Sequence, residues 1–332
     1  MENPLVSVII PNYNYARYLT ERLDSVLGQT FQDFEVIILD DCSTDNSREV
    51  IEQYRNHPKV SQILYNEKNS GSPFAQWERG LEAARGKYAW IAEADDLAEP
   101  TFLEKTVKAM ESDDDIAVVR TMSHLIDSDG APSLREPFDD FQPDKKIYVY
   151  DGAEYIHARL VYWNHVYNAS MVLMRIDIWR TLSDKIYMKF RYVGDWLFWG
   201  LLIYNHKIAV VRECLSSFRL HGKSVTDGAK QTKRASAECE IVRHLFGRTN
   251  PRISYGLNVF NRYHLYKMYH GDSTSEIGQE IEKLYPDFWK KIGISRLTYP
   301  YFWLYKHTIW LIDKRCLRRN SHHLQPLVIF DC

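Results

Sequence analysis

The sequence predicts an α/β fold with a mostly parallel central sheet, flanking helices on its faces and a helical region at the C-terminus. Over the first 120 residues, short apolar runs alternate with amphipathic stretches, which is typical of a parallel sheet covered by helices. From about Ala229 the pattern becomes helical and aromatic, with no strand signal before the extreme end. We therefore predict one domain over residues 1–226 and a helical, basic and aromatic region over residues 227–332.

Six apolar runs are predicted strands. The first, Val6–Pro11, is rich in β-branched residues, as expected of a strand that is buried on both faces. The second, Phe34–Leu39, leads directly into Asp40 and Asp41. The other four predicted strands are Val60–Tyr65, Lys87–Ala92, Ile116–Arg120 and Ser170–Arg175. The fourth strand therefore ends at the acidic segment EADD, which begins at Glu93.

Amphipathic stretches between these runs predict the helices. The helical spacing is clear in Tyr18–Leu27, and Gly28 stands at the position of a C-cap. A second helix carries Val50 and Tyr54 on one face, and a Ser or Asp in the preceding turn can cap it. The remaining predicted helices are Phe74–Ala84, Thr101–Met110 and Val193–Ile203. A polar stretch over residues 127–146, rich in Asp, Pro and Ser, predicts a loop or flap.

Composition excludes several classes of protein. An apolar fraction of 45% excludes a disordered chain. The five cysteines are widely spaced and form no CxxC pair, which argues against a disulfide framework and a structural zinc site. The N-terminus lacks the basic segment of a signal peptide, and no apolar stretch reaches the ~18 residues that span a membrane. We expect a cytoplasmic protein with no nucleic-acid partner.

Polar side chains follow three of the first four strands, where each strand ends. They are Asn12 and Asn14, then Asp40 and Asp41, then Glu93, Asp95 and Asp96. In open α/β sheets, ligands bind beyond the carboxyl ends of the strands, at the point where the strand order reverses. This edge is therefore the predicted binding site. The segment after the first strand is PNYNYA, which argues against a dinucleotide site of the GxGxxG type, and a Walker loop is also absent.

The acidic segment places three carboxylates within four residues. Glu93 and Asp95 lie on the same side of an extended chain, where they repel each other without a counter-charge. A hard divalent cation, Mg²⁺ or Mn²⁺, would relieve this repulsion and leave coordination positions for substrate phosphates. The alternative is an acid-rich start of the following helix, which the helix dipole favours.

Several motifs, in the right order and spacing, resemble family 2 glycosyltransferases of the GT-A fold, whose sheet is Rossmann-like. The segments are VSVIIPNYNYARYL, SVLGQTF, DFEVIILDDCSTDNS and GKYAWIAEADD. The resemblance is dense over residues 5–110 and thinner to about residue 226. It implies inverting transfer of a sugar from a nucleotide-diphosphate sugar, with UDP favoured, to a hydroxyl of a carbohydrate or lipid-linked saccharide. It also implies a divalent cation, Mn²⁺ or Mg²⁺, as cofactor, and a role in bacterial-type surface polysaccharide or glycoconjugate synthesis.

The resemblance implies a nucleotide-binding role for residues at the first two strand ends and in one loop. These are Pro11, Tyr13, Asp40 and Asp41, with Asn69 and Gly71 in the loop before the third helix, near the nucleotide and its sugar. Pro11 and Tyr13 match the turn that packs around the base. Asp41 matches the acid that accepts a hydrogen bond from the base, for example from the imide N–H of uracil. Asp40 lies beside it, and turn capping is the alternative for Asp40.

The acidic segment matches the family's DxD motif with two departures. Asp95 matches the metal-binding acid, and Asp96 is predicted to lie near the metal. Glu93 replaces the first Asp and reaches one methylene further, so its metal contact can be through water. Trp77 stands where many members have a small polar residue.

Two later segments resemble further motifs of the family. VGDW contains Asp195, which matches the general base that takes the proton of the acceptor hydroxyl. The helix N-terminus there should lower the pKa of Asp195, and an N-cap role is the alternative. FRLHGKS contains His221, predicted to complete the metal shell or contact the diphosphate, with Arg219 and Lys223 adding positive charge.

Two rival functions and the role of the tail stay open at this stage. A nucleotidyltransferase shares the sheet and the use of a metal, and a nucleotide-sugar-binding protein without transferase activity is consistent with Glu93. Residues 227–332 carry 17 Lys and Arg against 10 Asp and Glu. This tail, with its aromatic stretch Tyr299–Ile312, can pack on the core, form a homodimer contact or rest peripherally on the inner face of a membrane. Packing on the core is the default interpretation.

Overall fold

The central sheet forms mainly from the β-branched runs of the sequence. The computed structural model describes residues 3–133, 141–161, 163–221, 233–247, 276–287, 300, 303–304 and 324–332. The strands are β1 (Val6–Asn12), β2 (Phe34–Asp40), β3 (Val60–Tyr65), β4 (Tyr88–Ile91), β5 (Leu97–Ala98), β6 (Ile116–Ile126), β7 (Lys146–Asp151), β8 (Val172–Arg175), β9 (Lys207–Arg219) and β10 (Val328–Asp331). Every residue of β1 and β2 is buried, as the apolar runs predict.

Helices connect the strands and cover the sheet. They are α1 (Ala16–Leu27), α2 (Ser47–Gln53), α3 (Pro73–Ala83), α4 (Phe102–Glu111), α5 (Gly152–Tyr155), α6 (Ile176–Arg180), α7 (Gly194–Ile203), α8 (Lys233–Gly247) and α9 (Glu276–Leu284). Side chains of β1 alternate between the two faces. Ile9 joins a core with Leu81 of α3, whereas Val8 and Ile10 join a second core with Leu23 of α1. The sheet is therefore buried on both faces.

The strand order places a switch point beside β1. The order is β10-β7-β9-β6-β8-β4-β1-β2-β3, with β5 paired to β9. The four strands β4, β1, β2 and β3 are parallel. The chain runs outward from β1 through β2 to β3 and then returns to β4 on the other side of β1, so the strand order reverses there. The carboxyl ends of β1 and β4 therefore border the crevice in which such folds bind ligands.

The second half of the sheet is mixed rather than parallel. β6 pairs with β9 in parallel, but β8 is antiparallel to both β4 and β6, and β7 is antiparallel to β9. The sequence did not predict β7 or β9. The second half of β9, RECLSSFR, lacks apolar alternation, and its pairing with β6 shifts register repeatedly. This polar half pairs with β5 and brings the chain after it back to the acidic segment.

The described parts of the C-terminal region join the same structure. Ala237, Ile241 and Val242 of α8 are fully buried in the core that contains α3 and α7. β10 pairs with β7 at the edge of the sheet. The predicted boundary near residue 227 stays a prediction, and most of the aromatic stretch 299–312 lies outside the described residues. None of the described helices is both long and apolar enough to cross a membrane.

Candidate active site

Asp40 organises the turn that follows β2. It is fully buried, and its Oδ1 accepts a hydrogen bond of 2.8 Å from Asn12 Nδ2 at the end of β1. Its Oδ2 accepts one of 3.1 Å from the backbone N–H of Ser43, and Arg48 Nε lies 3.6 Å away. These contacts are those of a turn-capping residue, which was the alternative for this position.

Asp41 holds the loop of residues 66–72. Its Oδ1 accepts hydrogen bonds from Asn66 Nδ2 (2.5 Å), the backbone N–H of Ser70 (2.8 Å) and Gln76 Nε2 (2.9 Å). Its Oδ2 accepts one of 2.7 Å from Ser70 Oγ. An ionised carboxylate has about four lone-pair sites, so the three bonds on Oδ1 leave acceptor capacity on Oδ2. Asp41 can therefore shape this loop and still accept a hydrogen bond from a ligand.

The loop of residues 69–71 and the end of β1 both hydrogen-bond the backbone of Asp41. Asn69 Nδ2 donates to the Asp41 carbonyl oxygen at 3.0 Å, and Asn69 Oδ1 accepts from the Gly71 N–H at 2.8 Å. Gly71 has a φ of +71°, a conformation that a side chain would strain. Pro11 is buried within β1, whereas the Tyr13 side chain is 44% exposed. The exposed Tyr13 ring is therefore available to pack against a ligand.

The three carboxylates of the acidic segment have three different partners. Asp95 Oδ2 lies 2.8 Å from His221 Nε2. Asp96 Oδ1 accepts a hydrogen bond of 2.9 Å from the backbone N–H of Arg219. Glu93 Oε1 accepts one of 2.8 Å from Trp77 Nε1. The predicted cluster is thus divided, and only Asp95 contacts a second side chain that can bind a metal.

Burial and mutual repulsion make this segment costly to ionise. Burial, and after it the charge of Asp95, raise the pKa of Glu93 to about 8. The same two causes raise the pKa of Asp96 to about 7. The buried Arg22 guanidinium, 4.9 Å from the Trp90 ring, opposes both shifts. The segment therefore has a deficit of positive charge that a cation would relieve.

Asp95 and His221 fit a hard divalent cation. Their side chains are 15% and 7% exposed. Octahedral ligands at about 2.1 Å from a metal lie about 3 Å apart when adjacent, and the observed separation is 2.8 Å. Among the residues that the structure describes, no group of three His, Cys, Asp or Glu side chains is arranged around a common point. A cation here would therefore take its other ligands from phosphate oxygens and water. The predicted role of Asp96 at the metal and that of Glu93, through water, stay predictions.

Arg219 anchors the acidic segment from β9. Its side chain is 1% exposed, and its Nε donates to the Asp95 carbonyl oxygen at 2.6 Å. Its Nη2 pairs with Glu21 at 2.8 Å, and its guanidinium lies 4.6 Å from the centre of the Tyr18 ring. The His221 ring also packs against Tyr18, at 5.6 Å. In this structure Arg219 positions the segment, and its contact with a diphosphate stays a prediction.

Asp195 is a carboxylate whose ionisation is tuned toward neutral pH. It is in the first turn of α7, half-buried, and its Oδ2 accepts a hydrogen bond of 3.0 Å from Asn164 Nδ2. Burial raises its pKa to about 6, although the bonds from the Trp196 N–H and Asn164 oppose the rise. The expectation that the helix N-terminus would lower this pKa is wrong, because desolvation outweighs the helix.

Comparison with known proteins identifies the family. The sequence model of glycosyl transferase family 2 matches residues 7–177, just over half of the chain. The chain belongs to this family. This glycosyltransferase is 30% identical to the putative teichuronic acid biosynthesis glycosyltransferase TuaG of Bacillus subtilis, over 78% of this chain and 97% of the relative.

Solved structures share the fold of this glycosyltransferase. Residues 1–349 of S. aureus TarS, in complex with UDP-GlcNAc, have a TM-score of 0.60 at 18% identity, covering 96% of this chain and 92% of that 1–349 chain. The mannosyltransferase PcManGT from Pyrobaculum calidifontis, in complex with GDP-Man and Mn²⁺, has a TM-score of 0.56 at 14% identity, covering 96% and 88%. At these identities the likeness shows the fold alone, and it confirms the predicted GT-A architecture.

In this family 2 glycosyltransferase, the two departures from the DxD pattern contact each other. Trp77 donates to Glu93, and its ring lies 5.8 Å from that of Phe198 and 5.9 Å from that of Trp199, both on α7. The pair therefore connects the acidic segment to the helix that carries Asp195. The sequence showed both residues as unusual but contained no signal that they form a pair.

Several other site residues had no signal in the sequence. Gln76 and Ser70 hold Asp41, and Asn164 holds Asp195 from a segment of irregular structure. Each is an ordinary polar residue far along the chain from its partner. Only the three-dimensional arrangement shows these roles.

The Trp77–Glu93 bond should contribute measurably to stability. We expect Trp77→Phe to lower the free energy of unfolding by about 1–3 kcal/mol, because it leaves the partly buried Glu93 carboxyl without its donor. In a Glu93→Ala background the same change should cost less, since no acceptor is left unpaired. Urea titrations of the four proteins measure both costs, and equal losses in the two backgrounds would contradict the assignment.

Proposed function

We propose that this glycosyltransferase inverts the anomeric centre as it transfers a sugar from a nucleotide-diphosphate sugar to a hydroxyl of a carbohydrate or lipid-linked saccharide. The observation that carries the proposal is Asp195. Its pKa is raised to about 6, so it is ionised at neutral pH and still basic enough to accept a proton. Inverting transfer needs one such base, placed near the acceptor hydroxyl, and Asp195 matches the position of that base in the family.

The acceptor side of the mechanism depends on Asp195 and Asn164. The acceptor hydroxyl attacks the anomeric carbon from the face opposite the diphosphate, while the Asp195 carboxylate takes the hydroxyl proton. The bond from the anomeric carbon to the diphosphate oxygen breaks in the same step. Asn164 holds the carboxylate through Oδ2 and so fixes its direction. Orientation of this kind is a large part of the advantage of an enzyme-bound base.

The donor side depends on the ends of β1 and β2. We infer that the exposed Tyr13 ring packs on the base and that Asp41 Oδ2 accepts a hydrogen bond from its ring N–H. UDP is the favoured nucleotide, supported by the UDP-GlcNAc complex of TarS, whereas PcManGT holds GDP-Man. A thermal-shift panel of UDP-, GDP- and dTDP-sugars distinguishes these nucleotides. Gly71 and Asn69 are proposed to lie near the nucleotide and its sugar.

We propose that Asp95 and His221 hold a divalent cation, Mn²⁺ or Mg²⁺. Bound there, it would offset the negative charge that develops on the leaving diphosphate. Asp96, held by the Arg219 N–H, would contribute negative charge to the site of such an ion. The Mn²⁺ in the PcManGT complex supports a cation of this class.

The name of TuaG supports a role in the synthesis of a surface polysaccharide or glycoconjugate. Family membership argues against the nucleotidyltransferase alternative. An assay for free nucleoside diphosphate, with a panel of donors and Mn²⁺, distinguishes the two remaining functions. An enzyme releases the nucleoside diphosphate, whereas a nucleotide-sugar-binding protein without activity does not. Two further proposals, that the basic tail contacts a membrane and that the protein forms a homodimer, are supported by the sequence alone.

Asp195→Asn should abolish turnover and leave nucleotide binding intact, since the amide cannot take a proton. We expect the rate of nucleoside diphosphate release to fall by about 10²- to 10⁴-fold, while the affinity for UDP, measured by calorimetry, stays within about twofold of wild type. Asp184→Asn, at an exposed position, is the matched control and should behave as wild type. Retained turnover in Asp195→Asn would exclude the assigned base.

The pH profile should follow the ionisation of Asp195. Because burial raises its pKa to about 6, kcat/KM should be level above that pH and fall about tenfold per unit below it. Asn164→Ala removes a donor that favours the ionised form, so its acid limb should move to higher pH. Asn56→Ala, at an exposed position, serves as control. A limb that stays in place or moves to lower pH would contradict this role of Asn164.

Mn²⁺ should stabilise the protein through Asp95 and His221. At free metal equal to 100 times its Kd, we expect about 2.7 kcal/mol of added stability, seen as a higher melting temperature relative to EDTA. Asp95→Asn and His221→Ala should lose most of this increase because each removes one ligand. Asp114→Asn, whose side chain is 98% exposed, should keep it. An undiminished increase in the first two variants would place the cation elsewhere.

A further inference from the structure

Helix α8 of the C-terminal region directs a buried carboxylate at the loop before Asp195. Glu238 is 1% exposed. Its Oε1 accepts a hydrogen bond of 2.9 Å from the backbone N–H of Arg191, and its Oε2 accepts one of 2.8 Å from that of Tyr192. Arg234, one turn earlier on α8, also donates to Oε1 at 2.9 Å. A carboxylate is stable in such a buried place only with bonds of this kind.

The loop held by Glu238 leads directly into α7, where close packing leaves little freedom. A Cβ added to Gly194 would lie 2.4 Å from the Tyr187 carbonyl oxygen. A Cβ added to Gly200 would lie 2.3 Å from the ring of Phe246, which belongs to α8. Helix α8 therefore contacts α7 through Phe246 and the preceding loop through Glu238. Both contacts lie on the segment that carries Asp195, one just before it and one a turn after it.

Arg191 extends this connection to the opposite side of the site. Its backbone is bound by Glu238, and its guanidinium Nη1 donates to the Gly71 carbonyl oxygen. Gly71 lies in the loop that Asp41 and Asn69 shape for the donor. One residue thus joins the C-terminal helix, the loop before the base and the donor loop.

We propose that Glu238 and Arg191 are positioning residues that set the placement of Asp195 relative to the donor loop. The C-terminal helix is then part of the active-site framework. The kinetic part of this inference rests on the proposed function, whereas the contacts themselves can be tested without turnover.

The substitution Glu238→Gln tests the carboxylate with little change of shape. Two successive N–H donors need two acceptor oxygens, and an amide offers one oxygen and one NH₂ group. One backbone N–H of residues 191–192 therefore loses its partner. Arg234→Ala is the matched control, because it removes a side-chain donor to the same carboxylate and leaves both backbone bonds in place.

Hydrogen–deuterium exchange of the free protein is the first readout. In Glu238→Gln, exchange should increase over residues 191–195 and over residues 69–72. In Arg191→Ala it should increase over residues 69–72, since the link to Gly71 is lost. Arg191→Lys should restore part of that protection, because an ammonium can also donate to the Gly71 carbonyl oxygen. Wild-type exchange in Glu238→Gln and Arg191→Ala would overturn the proposal.

Kinetics with the donor that turns over fastest in the panel is the second readout. Glu238→Gln should lower kcat about 10- to 100-fold, as expected for a misplaced base, with a smaller change in donor KM. Arg191→Ala should raise the donor KM, and Arg191→Lys should recover part of the loss. Equal effects of Glu238→Gln and Arg234→Ala would indicate a purely structural helix and overturn the proposal.

The two readouts separate failure of this proposal from failure of the proposed function. If the wild type releases no nucleoside diphosphate from any donor, the function fails, and the exchange pattern alone decides the positioning role. If the wild type is active but Glu238→Gln matches it in kcat and exchange, the positioning role fails. If Glu238→Gln does not fold, the comparison of Arg191→Ala with Arg191→Lys tests the proposal, because Arg191 is exposed.

Discussion

Three carboxylates lie within four residues at the end of a buried strand and repel one another. The separate hydrogen-bond partners that stabilise them determine much of the structure of the site. Asp95 is the common source of repulsion, since its charge raises the pKa of both Glu93 and Asp96. Each carboxylate therefore has a partner of its own: an indole N–H, an imidazole or a backbone N–H. None of these three partners is a guanidinium or an ammonium group, so the proposed cation would add positive charge here without a closed cage of protein ligands.

The hydrogen-bond partners of the acidic segment come from parts of the chain that are far apart in sequence. The bonds to its three carboxylates therefore bring the elements of the site together. Trp77 brings α3 and, through ring contacts, α7 with its catalytic candidate. Arg219 and His221, at and just after the end of β9, hydrogen-bond the segment, and Arg219 also forms an ion pair with Glu21 of α1. Through Trp77, a change at Glu93 is expected to affect the packing of α7, which carries Asp195, as well as the acidic segment itself. This is why Glu93 and Trp77 are best understood as one unit.

The sequence predicted the parts of this arrangement that depend on local pattern. Runs of β-branched residues predict the buried strands, and polar residues directly after those runs mark the strand ends. The sequence therefore predicts that Asp41 and Asp95 lie at the same edge of the sheet. Strand β9 was missed because its polar half is stabilised by pairing with β5 and β6 rather than by apolar alternation. The predicted direction of the pKa shift of Asp195 was wrong for a related reason. The sequence indicates the helix N-terminus, which lowers the pKa, but not the burial, which raises it by more.

The C-terminal region shows the same limit from another side. Composition described it as basic and aromatic, which suggested a membrane or a partner. One acidic residue of its described part, Glu238, binds two consecutive backbone N–H groups, one with each carboxylate oxygen. The bonds from Glu238 to residues 191–192 and the contact of Phe246 with Gly200 hold α8 against α7 and against the loop before Asp195. The described part of the C-terminal region is therefore packed on the elements that carry Asp195, which is the structural basis for the proposed positioning role of Glu238 and Arg191.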